Sequence, residues 1–157
     1  MTSETNWSDE IGKPAADAIV EMVAALECDY ERLAELRDLE SGKHLDASEI
    51  EDLAELEVDA GECENEEQAR ERIREDALSV EVRSGWMNCG DEMIAEEFCI
   101  LLTTGGPAVR IRGELDQYKE PSRAWLEVQD WGKPWTRYYD IEQYTLLAYA
   151  RCFYFGE

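Results

Sequence analysis

The sequence has little positive charge. It holds 15 Lys and Arg residues against 38 Asp and Glu residues in a chain of 157, for a formal net charge of −23. A direct nucleic-acid binder needs a basic patch that neutralises phosphates, so this composition argues against that class. An anionic membrane surface would repel the chain. No apolar run reaches the roughly 18 residues of a spanning helix, and the first residues show no basic and apolar leader, so we expect no secretory signal.

Residues that perform chemistry are also scarce. His44 is the only histidine, and no nucleophile lies near it in the sequence. The five cysteines are widely spaced and form no C-x-x-C pair, which predicts free thiols in a reducing compartment rather than disulfides or a zinc site. Phosphate-binding glycine motifs are absent as well. We therefore predict a protein that is not an enzyme and that uses no metal or cofactor.

The negative charge that is present lies mainly in the first half of the chain. Residues 1–76 carry 25 acidic and 7 basic residues, a net charge of −18, whereas residues 77–157 carry 13 acidic and 8 basic residues, a net charge of −5. Of the 15 aromatic residues, 13 lie in the second half. Acidity that served only solubility or a salty habitat would be spread over both halves. The segregation predicts two regions with different roles, 1–76 and 77–157.

The first half has the periodicity of helices. Apolar residues recur there at three- and four-residue spacings, which is typical of helices with one face against a core. Three helices are predicted, over residues 14–40, 48–59 and about 65–76. Residues that favour a helix start stand near their first turns, namely Pro14, Ser48 (with Glu51 as a capping box) and Asn65 (with Gln68). The predicted apolar stripe of the second helix is Ile50, Leu53 and Ala54.

After Ala77 the period changes from 3.6 to two, which indicates strands. Four antiparallel strands are predicted, over about residues 78–83, 97–104, 108–114 and 123–129. The turn Gly105-Gly106-Pro107 joins the middle two as a hairpin. The last stretch has both helical spacing and strand composition, and we predict a helix over about 141–152. The fold class is α+β: an acidic helical N-terminal half, then a four-stranded antiparallel sheet with a C-terminal helix.

Carboxylates gather along the predicted first two helices. On the first, they step by three or four residues, which keeps them within an arc of about 80° and about 5–6 Å apart. Residues 44–69 contain no Lys or Arg. Like charges at this spacing destabilise a helix by a few tenths of a kcal/mol per pair, so the pattern favours a surface made for a partner. The candidate partner-binding acids are Glu27, Glu31, Glu35, Asp38, Glu49, Glu51, Asp52, Glu55, Asp59 and Glu62.

A rigid row of carboxylates can imitate the phosphates of duplex DNA, which carries one charge per about 1.7 Å of helix axis. Such a protein would bind in the basic groove of a nucleic-acid-binding protein and exclude the nucleic acid. Electrostatic steering would make its association fast and sensitive to salt. The first functional hypothesis is therefore a DNA mimic that acts as an inhibitor.

The second half offers an alternative surface. Four arginines lie on predicted strands or at their edges, namely Arg83, Arg110, Arg112 and Arg123. They could form a basic stripe, but in so acidic a chain cross-strand pairing with Glu81, Glu114 and Glu127 is favoured. Four tryptophans accompany them, either as large core residues, the favoured interpretation, or as an exposed recognition surface: Trp86, Trp125, Trp131 and Trp135. An exposed set would make the protein an accessory module that binds a protein partner through the aromatic sheet face.

About half of the chain resembles a family of small acidic proteins encoded by phages and prophages. The similar segments are Ala77-Leu-Ser-Val-Glu-Val-Arg-Ser-Gly-Trp86, Glu97-Phe-Cys-Ile-Leu-Leu-Thr-Thr-Gly-Gly-Pro-Ala-Val-Arg-Ile-Arg-Gly-Glu-Leu115, Gln129-Asp-Trp-Gly-Lys-Pro-Trp-Thr136 and Phe153-Tyr-Phe-Gly-Glu157. The resemblance brings no catalytic residue with it. It implies a mobile-element origin, action in the host cytoplasm and, in character, an anti-CRISPR or anti-restriction inhibitor. The defence system, the subunit bound and the oligomeric state stay open at this point.

Overall fold

A computed structural model describes residues 3–42 and 44–156 of the chain. In this part the helices are α1 (Ser3–Glu27), α2 (Tyr30–Gly42), α3 (Ala47–Ala60), α4 (Glu66–Asp76) and α5 (Gln143–Ala150). The strands are β1 (Ser79–Arg83), β2 (Glu97–Thr103), β3 (Ala108–Leu115), β4 (Pro121–Gln129) and β5 (Thr136–Tyr138). The predicted α+β class is confirmed, with four helices before the sheet and one after it.

The sheet is an antiparallel meander in the order β1-β2-β3-β4-β5. The predicted count of four strands is wrong, because β5 adds a fifth. With three residues, β5 is too short to show a period of two, and its place is set by pairing with β4, where Glu127 lies opposite Arg137. The predicted β2–β3 hairpin is confirmed. Gly105 in its turn has φ of 96°, a left-handed conformation that glycine adopts without strain.

One face of the sheet, here called the inner face, forms the main core. Residues on β2, β3 and β4 alternate between buried and half-buried, and the buried set includes Phe98, Ile100, Ile111, Leu126 and Val128. Helices α1, α4 and α5 contribute to the same hydrophobic cluster. Residues from both sides of position 76 therefore share one core.

Helix α1 begins well before the predicted start at residue 14 and continues through Pro14. Proline inside a helix removes a backbone donor and normally costs about 3 kcal/mol. The packing of Trp7 and Ile11 against the main core offsets that cost, because both lie on the same helical face as Ala15 and Ile19. The apolar spacing of α1 thus begins at Trp7, seven residues before Pro14, where the sequence predicted the start of the helix.

The predicted single helix over residues 14–40 is instead two helices that meet at Cys28 and Asp29. The Asp29 carboxylate accepts a hydrogen bond from the Arg32 backbone N–H at 3.0 Å, which caps the start of α2. The Tyr30 hydroxyl donates to the carbonyl of Ala25 at 2.5 Å and so satisfies an acceptor in the last turn of α1. Burial is the main reason that the pKa of Tyr30 is raised to about 12. The last turn of α1 and the first turn of α2 thus each gain a hydrogen-bond partner, which stabilises the break between the two helices.

The starts of the next two helices follow capping rules, one of them at a different residue from the prediction. Helix α3 uses a capping box of Asp46 and Glu49 rather than Ser48 and Glu51. Helix α4 has the predicted cap, in which the Asn65 side chain accepts from the backbone N–H of Gln68 at 2.8 Å. Helix α4 is tied to α5 by the Tyr149 hydroxyl, which donates to the Asp76 carboxylate at 2.6 Å.

The C-terminal segment begins as the predicted helix and ends in an irregular stretch. Helix α5 ends at Ala150, short of the predicted residue 152, and the chain then returns to the core without forming a strand. Phe155 is buried there with its ring 4.9 Å from that of Phe98. Among the described residues, no helix combines the length and the apolar character that a membrane crossing requires.

Gly113 gives a test of this core. It lies on β3 between Phe98 and Ala124, and a Cβ at this position would overlap the Phe98 ring and the Arg123 carbonyl oxygen. We expect Gly113→Ala to lower the free energy of unfolding by about 1–3 kcal/mol, since overpacking forces the strands apart. Gly42→Ala is the control, because a Cβ there meets nothing within 4 Å. Denaturant unfolding that leaves both variants as stable as the wild type would contradict the packing described.

Candidate partner-binding surfaces

Helices α2 and α3 form an acidic hairpin, defined here as residues 30–60, that has a small core of its own. Leu33, Leu36, Leu53 and Ala60 are buried against one another, apart from the main cluster. The hairpin contains 11 acidic residues and three basic ones. Because its apolar side chains are used between its two helices, its acidic side chains are left to face outward.

Ion pairs across the hairpin use two of its three cations. Arg32 lies 3.8 Å from the Asp52 carboxylate and 3.4 Å from that of Glu35 on its own helix. Arg37 lies 3.5 Å from the Glu57 carboxylate. All five side chains are substantially exposed, so each pair adds well under 1 kcal/mol to stability. The pairs help to hold α2 against α3. Because Glu35 and Asp52 are paired with Arg32, they are less available to a binding partner than the unpaired acids.

The remaining predicted acids form two uncompensated rows. Glu31 and Asp38 lie on α2, and Glu51, Glu55 and Asp59 lie on α3 within an arc of about 80°. All five are exposed, and among the described residues none has an ion-pair partner within 4.0 Å. Glu62, in the turn after α3, is exposed and has no ion pair within 4.0 Å in the part of the chain that the structure describes. A basic partner could reach these carboxylates without breaking an internal contact.

Two predicted acids do not belong to the rows. Glu27 is the last residue of α1, beyond the break at Cys28, and its carboxylate accepts a hydrogen bond from the Tyr144 hydroxyl of α5. The predicted row of four carboxylates on one helix is therefore wrong at its first member. Glu49 is half-buried and its carboxylate accepts from the Asp46 backbone N–H, so its role is to cap α3.

Apolar side chains are exposed beside the acidic row of α3. Of the stripe predicted for this helix, Leu53 is buried, but Ile50 is 57% exposed and Ala54 is exposed too. Val58, one turn further on, is 80% exposed. The stripe was predicted to face a core, and that is wrong for two of its three members, because α3 turns Leu53 and Leu56 toward α2. The result is an apolar strip next to Glu51 and Glu55.

The outer face of the sheet, opposite the inner face, carries arginines paired with glutamates. Cross-strand pairing was predicted with Glu81, Glu114 and Glu127, and two of these glutamates are paired: Glu127 with Arg110 at 2.7 Å and Glu114 with Arg123 at 3.0 Å. Arg83 and Arg112, however, bind Glu97, at 2.9 and 3.1 Å, and not Glu81. The hydrogen bonds from Arg83 are the main reason that the pKa of Glu97 is lowered. The alternative of a free basic stripe is thus largely removed by pairing.

Two of the predicted tryptophans are part of this outer face. The Trp125 indole N–H donates to Glu127 at 3.0 Å, and the guanidinium groups of Arg112, Arg123 and Arg137 lie 5.5–5.9 Å from its ring centre. Trp135 is covered by the Arg110 guanidinium at 3.9 Å. Cation–π contacts of this kind contribute about 0.5–1 kcal/mol each at exposed sites. Both rings are half-buried by charged neighbours rather than by a core.

The other two tryptophans are exposed and lie apart. Trp131 is in the β4–β5 turn, with its indole nitrogen beside Gly106 of the β2–β3 turn. Trp86 is fully exposed on the segment that follows β1, at the opposite edge of the sheet from β5. The interpretation of the four as core residues is wrong, since none is buried. Trp125, Trp131 and Trp135 therefore lie near β4 and β5, and Trp86 lies away from them, beyond the end of β1.

The side chains with potential chemistry are dispersed. His44 is exposed in the α2–α3 connection, and all five cysteines are free thiols. Burial raises the pKa values of Cys28, Cys99 and Cys152, which disfavours their reactive thiolate forms. In residues 3–42 and 44–156, no three His, Cys, Asp or Glu side chains are grouped so that they could hold a metal ion.

Comparison with models of protein families, with curated proteins and with solved structures gives no match for this chain. The acidic hairpin and the outer face of the sheet are therefore the two features of the structure from which a function can be inferred.

The separate core of the hairpin can be tested with Leu36→Ala. Leu36 is fully buried between α2 and α3, so we expect a loss of about 2–5 kcal/mol, confined to the hairpin. Amide hydrogen exchange should speed up in residues 30–60 while strands β2–β4 keep their protection. Ile50→Ala is the control, because Ile50 is exposed and should change exchange little. Equal loss of protection in hairpin and sheet would show that the two cores are not separate.

Proposed function

We propose that this protein is a phage-encoded DNA-mimic inhibitor whose acidic hairpin binds the basic nucleic-acid groove of a host defence complex and excludes DNA. The observation that carries the proposal is the pair of uncompensated carboxylate rows on a hairpin with its own core. We place an anti-CRISPR role first and an anti-restriction role next on the resemblance noted in the sequence alone, since the comparisons gave no match. Both roles would be performed in the host cytoplasm.

The hairpin matches DNA in sign and in part in charge density. Carboxylates at i and i+4 are about 6 Å apart along a helix axis, whereas one DNA strand carries a phosphate per about 3.4 Å of axis. The α3 row therefore has a little over half the linear charge density of a strand. The α2 row, whose two acids are about 10.5 Å apart, has about a third, and the two rows together approach the density of one strand. A groove that binds phosphates with several Lys and Arg residues would find enough carboxylates to pair with, although at fewer points.

The exposed apolar strip adds a contact that DNA phosphates lack. Ile50 and Val58 lie next to the acids of α3, and apolar contact contributes roughly 25 cal/mol per Å² removed from water. Electrostatic attraction would bring the partner quickly, and the apolar contact would slow its release. This combination lets a sparse carboxylate row compete with a denser phosphate row.

The test is a charge reversal on α3. Glu51→Lys, Glu55→Lys and Asp59→Lys are combined, and displacement of labelled DNA from purified CRISPR effector complexes and restriction enzymes is measured at low and high salt. Wild-type protein should displace DNA from at least one of them, less so as salt rises, because screening weakens the attraction. The reversed variant should lose at least tenfold in displacement. Normal displacement by this variant would refute the proposal.

A matched control separates geometry from net charge. Asp9→Lys, Glu10→Lys and Asp17→Lys together change the charge of α1 by the same amount at exposed positions. This variant should displace DNA nearly as well as the wild type. If both triple variants lose displacement equally, total charge rather than the hairpin surface is responsible.

A second candidate function has its own observation: no helix in the described part of the chain covers the outer face of the sheet. Exposed Trp131 and half-buried Trp125 and Trp135 would then form the contact of an accessory module with a protein partner. In the same displacement assay, Trp131→Ala with Trp135→Ala should then abolish the effect and the α3 reversal should not. Trp86→Ala is the control, because Trp86 lies at the other edge of the sheet.

A further inference from the structure

Strand β1 leaves apolar side chains exposed at an edge of the sheet. Val80 and Val82 lie opposite the buried residues Ile100 and Phe98, so they point to the inner face, yet they are 39% and 45% exposed. Leu78, just before the strand, is 59% exposed. The main core is thus continued onto β1 without a helix to cover it there.

This edge has few of the devices that usually protect an edge strand, and its charged side chains are Glu81 and Arg83. Residues 78–86 contain no Lys or Pro, and the β1–β2 pairing shows no bulge. The opposite edge is protected: β5 has three residues and follows Pro134 closely. An edge that is apolar on one side and has open backbone groups is suited to pairing with another strand.

We propose that β1 pairs antiparallel with β1 of a second copy of this chain, with the two-fold axis at Val82. The two five-stranded sheets then form one continuous sheet. The occupant is a second copy because the segment is complementary to itself in this register, in charge as well as in apolar contact. The proposal is independent of the DNA-mimic function, since it involves neither the acidic hairpin nor a basic partner.

The charges decide the register. With the axis at Val82, Glu81 lies opposite Arg83 of the partner subunit, and the symmetric contact repeats it, which gives two opposite-charge pairs on the outer face. Glu81 is exposed and, among the described residues, has no ion pair within 4.0 Å, whereas Arg83 already binds Glu97 of its own chain at 2.9 Å and would be shared between the two glutamates. An axis at Glu81 would instead place two glutamates directly opposite each other, which is destabilising.

The same register covers the exposed apolar residues. Val82 lies opposite Val82 of the partner subunit on the inner-face side. Extension of the pairing beyond Arg83, where β1 ends in the single chain, places Leu78 opposite Trp86 of the partner subunit. Trp86 is fully exposed in one copy, and its place opposite Leu78 would remove both side chains from water. A register centred on Val80 would leave Trp86 uncovered and Glu81 without an arginine.

Repulsion opposes the approach of two chains that each carry −23. The groove beside Leu78 and Val80, about 780 Å³ in volume, is lined by Arg70, Arg74, Arg151 and Glu120, but Arg70 is paired with Glu66 and Arg74 with Glu67 and Glu71, so the groove offers little free positive charge. Repulsion between the two acidic hairpins remains, but salt screens it beyond about 10 Å at moderate ionic strength. Dimerisation should therefore become stronger with salt, opposite to the binding of a basic partner.

Mass in solution is the first measurement. Sedimentation velocity of the full chain, from low to high micromolar concentration and in about 0.5 M salt, should show a species of twice the 18.0 kDa chain mass. Val82→Lys should shift the dissociation constant upward by at least tenfold, because it buries a charge between two copies. Val20→Lys, at a similarly exposed valine on α1, should leave the dimer intact. A wild type that stays monomeric throughout, or equal loss in both variants, would overturn the proposal.

Mixing two charge variants tests the register and does not depend on the folding of Val82→Lys. Glu81→Arg places two arginine pairs across the axis, and Arg83→Glu places two glutamate pairs there, so each variant alone should be monomeric. Arg83→Glu also removes the ion pair with Glu97 of its own chain, so amide hydrogen exchange of residues 79–83 is measured to establish that β1 stays paired with β2 in this variant. Their equimolar mixture restores both Glu–Arg pairs and should form a heterodimer. If each variant dimerises as the wild type does, or if the mixture stays monomeric, the pairing centred on Val82 is wrong.

Discussion

The end of helix α1 at Glu27 is the constraint on which the rest of the molecule depends. Up to that point the helix lies on the inner face of the sheet, where Ile19, Met22 and Val23 are buried. There Asp29 caps a new helix, and Tyr30 satisfies a carbonyl of the old one. Without this break a straight helix of residues 14–40 would carry its acids along the main core. With it, the acids belong to a hairpin that has a core of its own.

This arrangement separates two ways of handling charge. On the outer face of the sheet, Glu97, Glu114 and Glu127 are each paired with an arginine, whereas Glu81 is unpaired, and Trp125 and Trp135 lie against the arginines. In the hairpin, two arginines join the helices and most carboxylates stay unpaired. The cost of like charges on one helix face, a few tenths of a kcal/mol per pair, is borne by a unit stabilised by buried leucines. The field of the unpaired carboxylates extends to about the screening length in salt, whereas the fields of the paired charges on the sheet face largely cancel beyond contact distance.

Much of the fold could be predicted from local patterns. Strand periods, the Gly105 turn and the Asn65 cap each depend on neighbours within a few residues, and each was confirmed. The pairs Arg110–Glu127 and Arg123–Glu114 follow from strands adjacent in the chain, so they too could be foreseen. The choice of Glu97 over Glu81 by Arg83 and Arg112 could not, because β1 joins β2 through a 13-residue connection whose length does not fix the register.

The sequence by itself determined the sign of the charge, its concentration in the first half and the helical spacing of the carboxylates, because these follow from residue order alone. Only the tertiary structure decided that Glu27 belongs to a different helix from Glu31, that Ile50 and Val58 face water, and that Trp86 stands apart from the other tryptophans. The physical reason is that α3 has apolar residues on two sides and could bury either side. Packing against α2 buries the side with Leu53 and leaves Ile50 and Val58 exposed. Likewise, an edge strand such as β1 is recognised only when the order of the sheet is known.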